Sequence, residues 1–213
     1  MKVAKIKTLL KSTKFNQESA VQGWVKTFRA NRFISLNDGS SLENLQCVVD
    51  FESLEESFIK RITSGAALHL EGKLVKSQGS GQTIELQVKK IKIYGDSDPE
   101  KYPIQPKKHS LEFLREKAHL RIRTSTFAAV MRVRSALSFA VHKFFQEKGF
   151  FYVNTPIITG SDAEGAGEMF RVTSLHPKNP PLDNNGVVDY KKDFFGKETN
   201  LTVSGQLEAE SYA

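Results

Sequence analysis

The sequence predicts two structural parts: a five-stranded β-barrel, followed by an α+β segment that opens with a long amphipathic helix. Three observations support this fold class. Five runs rich in Val, Ile and Phe, with alternating polarity, lie between residues 20 and 94. A polar stretch with three prolines follows over residues 95–110. An apolar stripe at helical spacing then occupies residues 125–148.

The order of the elements in the first part predicts the type of barrel. The five strand-like runs are residues 20–28, 32–38, 45–51, 66–75 and 82–94. Between the third and fourth runs, Leu54, Phe58 and Ile62 repeat at helical spacing, and Gly65 suits a helix C-cap. Three strands, a helix and two strands form the order of an OB-fold barrel. The last two strands are joined by a polar hairpin, KSQGSGQ.

The second part begins after the proline-rich linker. We therefore assign residues 1–105 to the barrel domain, with the linker over 95–110, and residues 111–213 to the second domain. A short helix is predicted over residues 111–117, and a long helix capped by Ser125 or Thr126 and ended by Gly149. A strand over residues 150–156, stopped by Pro156, then leads into a Gly-rich loop. The runs FRVTSL and NLTVSGQ predict two further strands.

Composition limits the function classes. The 213 residues, 39% apolar and 26% charged, suffice for folded domains. No run approaches the ~18 apolar residues of a membrane span. Lysines interrupt the N-terminus, whereas the core of a signal peptide is apolar. We therefore expect a cytoplasmic protein without membrane contact. Cys47 is the only cysteine, which excludes an internal disulfide and a cysteine metal cluster and predicts a packing role. We expect no metal site.

The net charge of +7 is unevenly distributed. Residues 107–134 hold eight Lys or Arg and two Glu, whereas residues 162–213 hold five basic and nine acidic residues. Such a basic belt attracts a phosphate backbone. A solvated helical face is the alternative explanation.

Four residues on the predicted barrel suit single-stranded nucleic acid, which OB-folds bind by stacking bases on aromatic rings and holding the backbone with cations. Phe33 offers the ring and Arg29 the cation, while Gln46 and Glu85 offer an amide and an acceptor to base edges. Each has a structural alternative. Phe33 can belong to the core, Gln46 can be an outward polar position, and Glu85 can pair with Lys73 or Lys89.

Two segments of the second part suit a small polar substrate. In SDAEGAGEMF, small residues flank Glu164, whose carboxylate can pair with a ligand ammonium. In LTVSGQLEAES, Gln206 follows a strand and offers an amide, with Ser204 and Glu210 nearby. A turn and an acidic helix start are the structural alternatives. There is no Walker loop, HExxH motif or serine-nucleophile elbow.

The same segments resemble one protein family. GWVKTFRANRFISLNDGS and LQCVVDF resemble the anticodon-binding barrel of the aspartyl and asparaginyl class II tRNA synthetases. The stretch from HLRIRT to GFFYVNTPII resembles motif 1 of class II synthetases, ending on Pro156. SDAEGAGEMFRV, KDFFGKE and LTVSGQLEAESYA are similar to the asparaginyl family in particular. The resemblance covers essentially the whole chain.

The resemblance implies a fold and a set of residue roles. It implies an OB-fold followed by the incomplete start of an α+β class II catalytic domain, an antiparallel sheet with the motif 1 helix. Phe33 is expected to stack on an anticodon base. The other implied roles are anticodon contacts by Arg29, Gln46 and Glu85, amino-acid binding by Glu164, Ser204, Gln206 and Glu210, and a homodimer interface at Val133, Leu137 and Pro156.

The implied activity is ATP-dependent attachment of L-asparagine to tRNA(Asn), with Mg²⁺. In the family, motifs 2 and 3 lie downstream of the position that matches Tyr212. We therefore expect no catalytic residue in these 213 residues, no bound ATP or Mg²⁺, and no catalysis by the chain alone. An aspartyl-tRNA synthetase relative and a free-standing tRNA-binding module are the alternatives. The aspartyl family has a lysine where this chain has Ala209, which favours an uncharged substrate amide.

Overall fold

A computed structural model describes residues 1–30, 32–50, 54–79, 81–163, 165 and 169–213. The chain forms two compact units, Met1–Ser138 and Phe139–Ala213. The predicted fold class is confirmed. A closed five-stranded barrel comes first, and a small antiparallel sheet lies in the second unit.

The first unit is built around the barrel. A short helix, α1 (Ile6–Leu10), precedes the strands and was not predicted from the sequence. The strands are β1 (Gln17–Arg29), β2 (Phe33–Asn37), β3 (Leu45–Val49), β4 (Ala67–Lys76) and β5 (Ile84–Gly95), with α2 (Glu56–Ile59) between β3 and β4. Their order in the sheet is β1-β2-β3-β5-β4, and pairing of β1 with β4 closes the barrel. The end of the third predicted strand, Phe51, lies outside the described residues.

The barrel interior is apolar because alternate residues of every strand face inward. In β4 the alternation places Leu68, Leu70 and Leu74 in the core, and in β3 it buries Leu45 and Cys47. The predicted packing role of the lone cysteine is thus confirmed, and burial raises the pKa of its thiol. Two residues of α1, Ile6 and Leu9, complete the core at one end of the barrel.

The helix between β3 and β4 is shorter than its sequence pattern suggested. The predicted apolar stripe does pack on the barrel, since Ile62 is buried and Leu54 and Phe58 lie against the core. Gly65 is not the helix C-cap, which is Lys60. Instead Gly65 adopts a φ of 90° and donates its N–H to the carbonyl of Val25 at 2.8 Å. Its left-handed conformation returns the chain to the barrel.

The chain beyond the barrel packs on β1 within the same unit. Helix α3 (Leu111–Glu116) begins at Ser110, whose hydroxyl accepts from the Phe113 N–H. A 3-10 turn over Arg121–Arg123 then brings the Arg123 guanidinium to 3.9 Å from the centre of the Trp24 ring. Lys26 Nζ donates to the Arg123 carbonyl at 2.5 Å. Burial, and secondly the charge of Arg123, lowers the pKa of Lys26.

The long helix α4 (Ser125–Glu147) has nearly the predicted bounds. Its cap is different: the Thr124 hydroxyl accepts from the Phe127 N–H at 3.3 Å, so neither Ser125 nor Thr126 is the cap. Ser125 is already the first helical residue, and an N-cap must stand just before it.

The sheet of the second unit has three short strands, β6 (Ile158–Thr159), β7 (Arg171–Val172) and β8 (Thr199–Leu201), in the order β6-β8-β7. A final short helix is α5 (Gln206–Glu210). The strands predicted in FRVTSL and NLTVSGQ are confirmed. The strand predicted over residues 150–156 is wrong, because β6 pairs with β8 only after Pro156. Residues 150–156 have the side chains of a strand but join no ladder in the described chain.

Candidate nucleic-acid interface

Strand register aligns three polar side chains on the outside of the barrel. Ser35 of β2 lies opposite Gln46 of β3, and Gln46 lies opposite Glu85 of β5. Their neighbours along the strands, such as Leu45 and Leu86, are buried. Because side chains alternate between the two faces of a strand, the polar three form one row on the outer surface.

At this row lies a groove of about 440 Å³. Three of the four residues predicted to contact nucleic acid line it, namely Arg29, Phe33 and Gln46. The other lining residues in the described ranges are Leu10, Ser35, Glu43, Asn44, Gly81, Gln82 and Thr83. Arg29, the last residue of β1, pairs with Phe33, the first residue of β2, which places the predicted cation beside the predicted ring.

Glu85, the fourth predicted residue, does not line the groove but borders it through Gln46. Its carboxylate accepts from Gln46 Nε2 at 3.4 Å and from the Ser77 hydroxyl at 3.1 Å. The proposed structural alternative for Glu85 is not observed, because Lys89 instead pairs with Glu18 at 2.6 Å and no described ion pair joins Glu85 to Lys73. Two donors therefore fix the Glu85 carboxylate next to the Gln46 amide.

The structural alternative for Phe33 is also not observed. Phe33 is half-buried and lines the groove, while its neighbour Ile34 occupies the core. The Arg32 guanidinium lies 6.0 Å from the centre of the Phe33 ring. An aromatic ring, a cation and an amide thus converge on one concave surface, which suits bases of a single strand.

Several groove residues were missed by the sequence analysis. Glu43 and Asn44 come from the loop between β2 and β3, and Gln82 and Thr83 from the hairpin between β4 and β5. The polar hairpin is visible in the sequence, but nothing there shows that it lies beside the β2–β3 loop. Leu10 was missed because α1 was not predicted. Closure of the barrel brings these distant segments together.

In the second unit, the predicted amino-acid residues lie around the start of α5. Gln206 donates its backbone N–H to the Ser204 hydroxyl at 3.1 Å, and its side-chain amide donates to Glu210 Oε1 at 3.1 Å. Ser204, Gln206 and Glu210 are therefore neighbours, and all three are exposed. Glu164 lies outside the described residues.

Gly205 accounts for the position of this turn. A Cβ at Gly205 would overlap the side chain of Thr155, so only glycine lets the turn approach so closely. Thr155 stands next to Pro156, the residue that ends the motif 1 resemblance. Any side chain at position 205 would displace the backbone that carries Ser204 and Gln206.

The residues predicted at a dimer interface are exposed. On α4 the side chains of Val133 and Leu137 are 58% and 61% exposed, and Pro156 is exposed as well. The apolar stripe of α4 is therefore a large uncovered surface. Soluble monomers rarely leave such stripes in contact with water.

No group of three or more His, Cys, Asp or Glu side chains is arranged to hold a metal ion within the described ranges. Over the same part of the chain, no helix is long and apolar enough to cross a membrane.

Two family profiles match the chain. The profile of the OB-fold nucleic acid binding domain matches residues 20–94, which contain the groove strands. The profile of class II tRNA synthetases (D, K and N) matches residues 110–207. The two matched segments lie on either side of the predicted linker.

Curated relatives match the chain from end to end. The asparagine–tRNA ligase of Cytophaga hutchinsonii is 56% identical over 99% of the chain, and that of Acetivibrio thermocellus is 53% identical over 100%. The matches cover 46% and 47% of those two relatives. The chain thus spans about half the length of the curated relatives it matches.

Solved structures match the fold. The asparaginyl-tRNA synthetase of Pyrococcus horikoshii, complexed with asparaginyl-adenylate, superposes with a TM-score of 0.76 at 21% identity, covering 100% of this chain and 45% of that one. The aspartyl-tRNA synthetase of Entamoeba histolytica gives a TM-score of 0.58 at 16% identity, covering 74% and 40%. At these identities the likeness concerns the fold alone.

Proposed function

We propose that this chain, which matches asparagine–tRNA ligases over essentially its whole length, reads the anticodon of tRNA(Asn) during the attachment of asparagine to that tRNA. The proposed activity of the protein is the ATP-dependent attachment of asparagine to tRNA(Asn). The groove containing Arg29, Phe33 and Gln46 is the observation that carries the proposal.

Each proposed groove contact follows from side-chain chemistry. Phe33 stacks on one anticodon base, which stabilises any base because every base has an aromatic face. Gln46 reads a base edge. Its Nε2 donates one of its two hydrogens to Glu85, so the amide oxygen and the second N–H face a base edge in a fixed orientation. Arg29 supplies the positive charge for the adjoining backbone.

Glu85 acts on this recognition by orienting Gln46. A glutamine amide that rotates freely presents a donor and an acceptor interchangeably, whereas one held by a carboxylate presents them in a fixed order. The Ser77 hydroxyl holds the carboxylate on its other side. This second bond keeps Glu85 in place when the groove is empty.

We extend the proposal to part of an amino-acid site. Ser204, Gln206 and Glu210 lie together in the described chain, and the resemblance adds Glu164. Asparagine rather than aspartate is favoured by Ala209, which stands on α5 where the aspartyl family has a lysine. An aspartate side chain needs a cation opposite it, and an asparagine amide does not.

The remaining proposals concern the whole protein. We propose residues 1–105 as the anticodon-binding domain, a linker over residues 95–110, and a class II domain beginning at residue 111. ATP and Mg²⁺ are proposed as reactants of the complete enzyme. The described residues contain no group arranged to hold a metal ion, so none is assigned to Mg²⁺. A homodimer through Val133, Leu137 and Pro156 is proposed from the resemblance to motif 1.

Binding of an RNA hairpin carrying the tRNA(Asn) anticodon tests the proposed function. In a fluorescence anisotropy titration with the 213-residue chain, Phe33→Ala is expected to weaken binding about tenfold, because base stacking contributes roughly 1–3 kcal/mol. Phe33→Tyr should retain most of the affinity. A hairpin with altered anticodon bases should bind the wild-type chain more weakly.

Tyr94→Ala is the matched control. Tyr94 is an exposed aromatic residue of β5 outside the groove, so its removal should leave the affinity unchanged. Wild-type affinity in Phe33→Ala, or equal losses in both variants, would contradict the proposed role of the groove.

A further inference from the structure

The N-terminal segment Ile6–Asn16 lies beside the groove and is anchored at its start by the barrel. Ile6 and Leu9 are part of the barrel core. The Ile6 N–H donates to Asp38 Oδ2 at 3.0 Å, and the Lys7 N–H donates to the Ser40 hydroxyl at 2.9 Å. Asp38 and Ser40 belong to the same loop as Glu43 and Asn44, which line the groove.

The far end of the segment is anchored to β4. The Asn16 N–H donates to the Leu74 carbonyl at 2.7 Å, just before β1 begins. Between the two anchors, Leu10 contributes its side chain to the groove wall. The segment therefore passes along the groove, from the β2–β3 loop towards the end of β4 from which the β4–β5 hairpin departs.

This segment is strongly basic. The first 14 residues contain five lysines and no acidic residue. Lys7, Lys11 and Lys14 are exposed, and none of them takes part in an ion pair among the described residues. Their ammonium groups are thus available to an anionic partner, held on a backbone that the barrel fixes.

The groove itself is not built to neutralise a polyanion. Among the lining residues that the structure describes, Arg29 is the one cation, and the carboxylate of Glu43 offsets its charge. Glu85 adds a further carboxylate next to Gln46. Arg29 can hold one adjoining phosphate, whereas the other phosphates of the same strand require cations outside the groove.

We propose that Lys7, Lys11 and Lys14 form a phosphate-binding rim for the RNA strand whose bases occupy the groove. The inference rests on the proposed function and adds a second set of contacts to it. The base-reading groups and the backbone-holding groups lie on different segments. The rim contributes affinity without regard to base sequence, and the groove contributes selectivity.

The salt dependence of RNA binding tests the rim. For single strands, each neutralised phosphate contributes about 0.7 to the slope of log K against log salt concentration. The triple variant Lys7→Gln, Lys11→Gln, Lys14→Gln should therefore lower the magnitude of that slope by about 2 in titrations of the anticodon hairpin. The corresponding triple substitution by arginine keeps the charge and should keep the slope.

The control is a triple variant with the same change in net charge, Lys60→Gln, Lys101→Gln, Lys178→Gln. These lysines are exposed and do not line the groove. Far-UV circular dichroism and the unfolding midpoint establish that every variant is folded. The proposed rim would be contradicted if the Lys7, Lys11, Lys14 variant kept the wild-type slope of log K against log salt concentration. An equal reduction of that slope in the control would also contradict it.

The outcomes separate this inference from the proposed function. If the wild-type chain does not bind the hairpin, or if Phe33→Ala binds like wild type, the proposed function fails. If Phe33→Ala weakens binding and the lysine variant keeps the wild-type slope, the proposed function stands and only the proposed phosphate-binding rim is contradicted.

Discussion

Asp193 shows how a single residue organises the second unit. Its buried carboxylate accepts from the hydroxyls of Thr173 and Ser174 at 2.6 and 2.7 Å, and from the N–H groups of Ser174 and Phe194 at 2.9 and 2.7 Å. These bonds, first that of Thr173 and then those of Ser174, hold the pKa of the carboxyl far below its usual range. Asp193 thereby joins the end of β7 to the chain before β8.

The lowered pKa predicts a pH-dependent contribution to stability. Ionised Asp193 stabilises the fold fully above its ordinary pKa of about 3.9, and this contribution is lost as the pH falls towards the lowered value. Asp193→Asn should therefore lower the thermal midpoint at neutral pH. The difference from wild type should shrink below about pH 4. Calorimetric scans at several pH values measure both effects.

Asp162→Asn serves as control because Asp162 is exposed in the same unit. It should leave the midpoint nearly unchanged at neutral pH. A difference between Asp193→Asn and wild type that stays constant down to acidic pH would be inconsistent with an ionised, hydrogen-bonded carboxylate.

Some residues of the candidate site were predicted from the sequence, and others were not. Arg29, Phe33 and Gln46 were identified from residue type and strand position, and they line one groove. Their binding roles stay predictions. The contact of Gln46 with Glu85 could not be derived, because it depends on the parallel register of β3 and β5. Periodicity predicts strands but not which strands are neighbours.

At the scale of elements, the start of α4 depends on one hydroxyl. Thr124 accepts from the Phe127 N–H, and its own hydroxyl donates to the Arg121 carbonyl at 2.7 Å. The residue thus joins the preceding 3-10 turn to the long helix. Removing an N-cap of this kind costs about 1 kcal/mol.

Thr124→Ala is therefore expected to lower the free energy of unfolding of the first unit by about 1 kcal/mol. Thr124→Ser should retain most of it. Urea unfolding followed by the fluorescence of Trp24, the only tryptophan, provides the measurement, since the adjacent Arg123 packs on that ring. Thr126→Ala removes an exposed hydroxyl two residues further along the chain and should have little effect on that free energy. If Thr126→Ala lowers the free energy of unfolding more than Thr124→Ala does, the assignment of Thr124 as the N-cap is contradicted.

Two elements show the limits of local sequence patterns. Helix α1 spans only Ile6–Leu10, too short to display a helical period, and it is held by Asp38, Ser40 and the barrel core. Residues 150–156 have the composition of a strand but join no ladder in the described chain. Whether each segment forms a regular element depends on its tertiary contacts, because short elements gain little stability from propensity alone.

For the molecule as a whole, the exposed stripe of α4 is the feature with the largest consequence. Val133 and Leu137 expose more than half of their side chains, and exposure continues through Phe144 and Phe145. Uncovered apolar area of this kind favours association. The proposed partner is a second copy of the chain.

Leu137→Asp is expected to shift the chain from dimer to monomer in sedimentation velocity experiments, because a buried unpaired carboxylate opposes burial of the stripe. Ser135→Asp is the matched control. Ser135 lies two residues away and so about 200° round the helix, on the opposite side. A monomeric wild-type chain, or equal dissociation of both variants, would contradict an interface at Leu137.

The sequence alone determined the five barrel strands and their order along the chain, the long helix, and the side-chain chemistry available to them. The β-barrel strands, the long helix and the choice of Arg29, Phe33 and Gln46 follow from periodicity and side-chain type, which are local properties. Only the tertiary structure decided that Leu10 of α1 lines the groove and that the Gln46 amide contacts the Glu85 carboxylate. Both features depend on strand register and barrel closure, which bring together residues far apart in the chain.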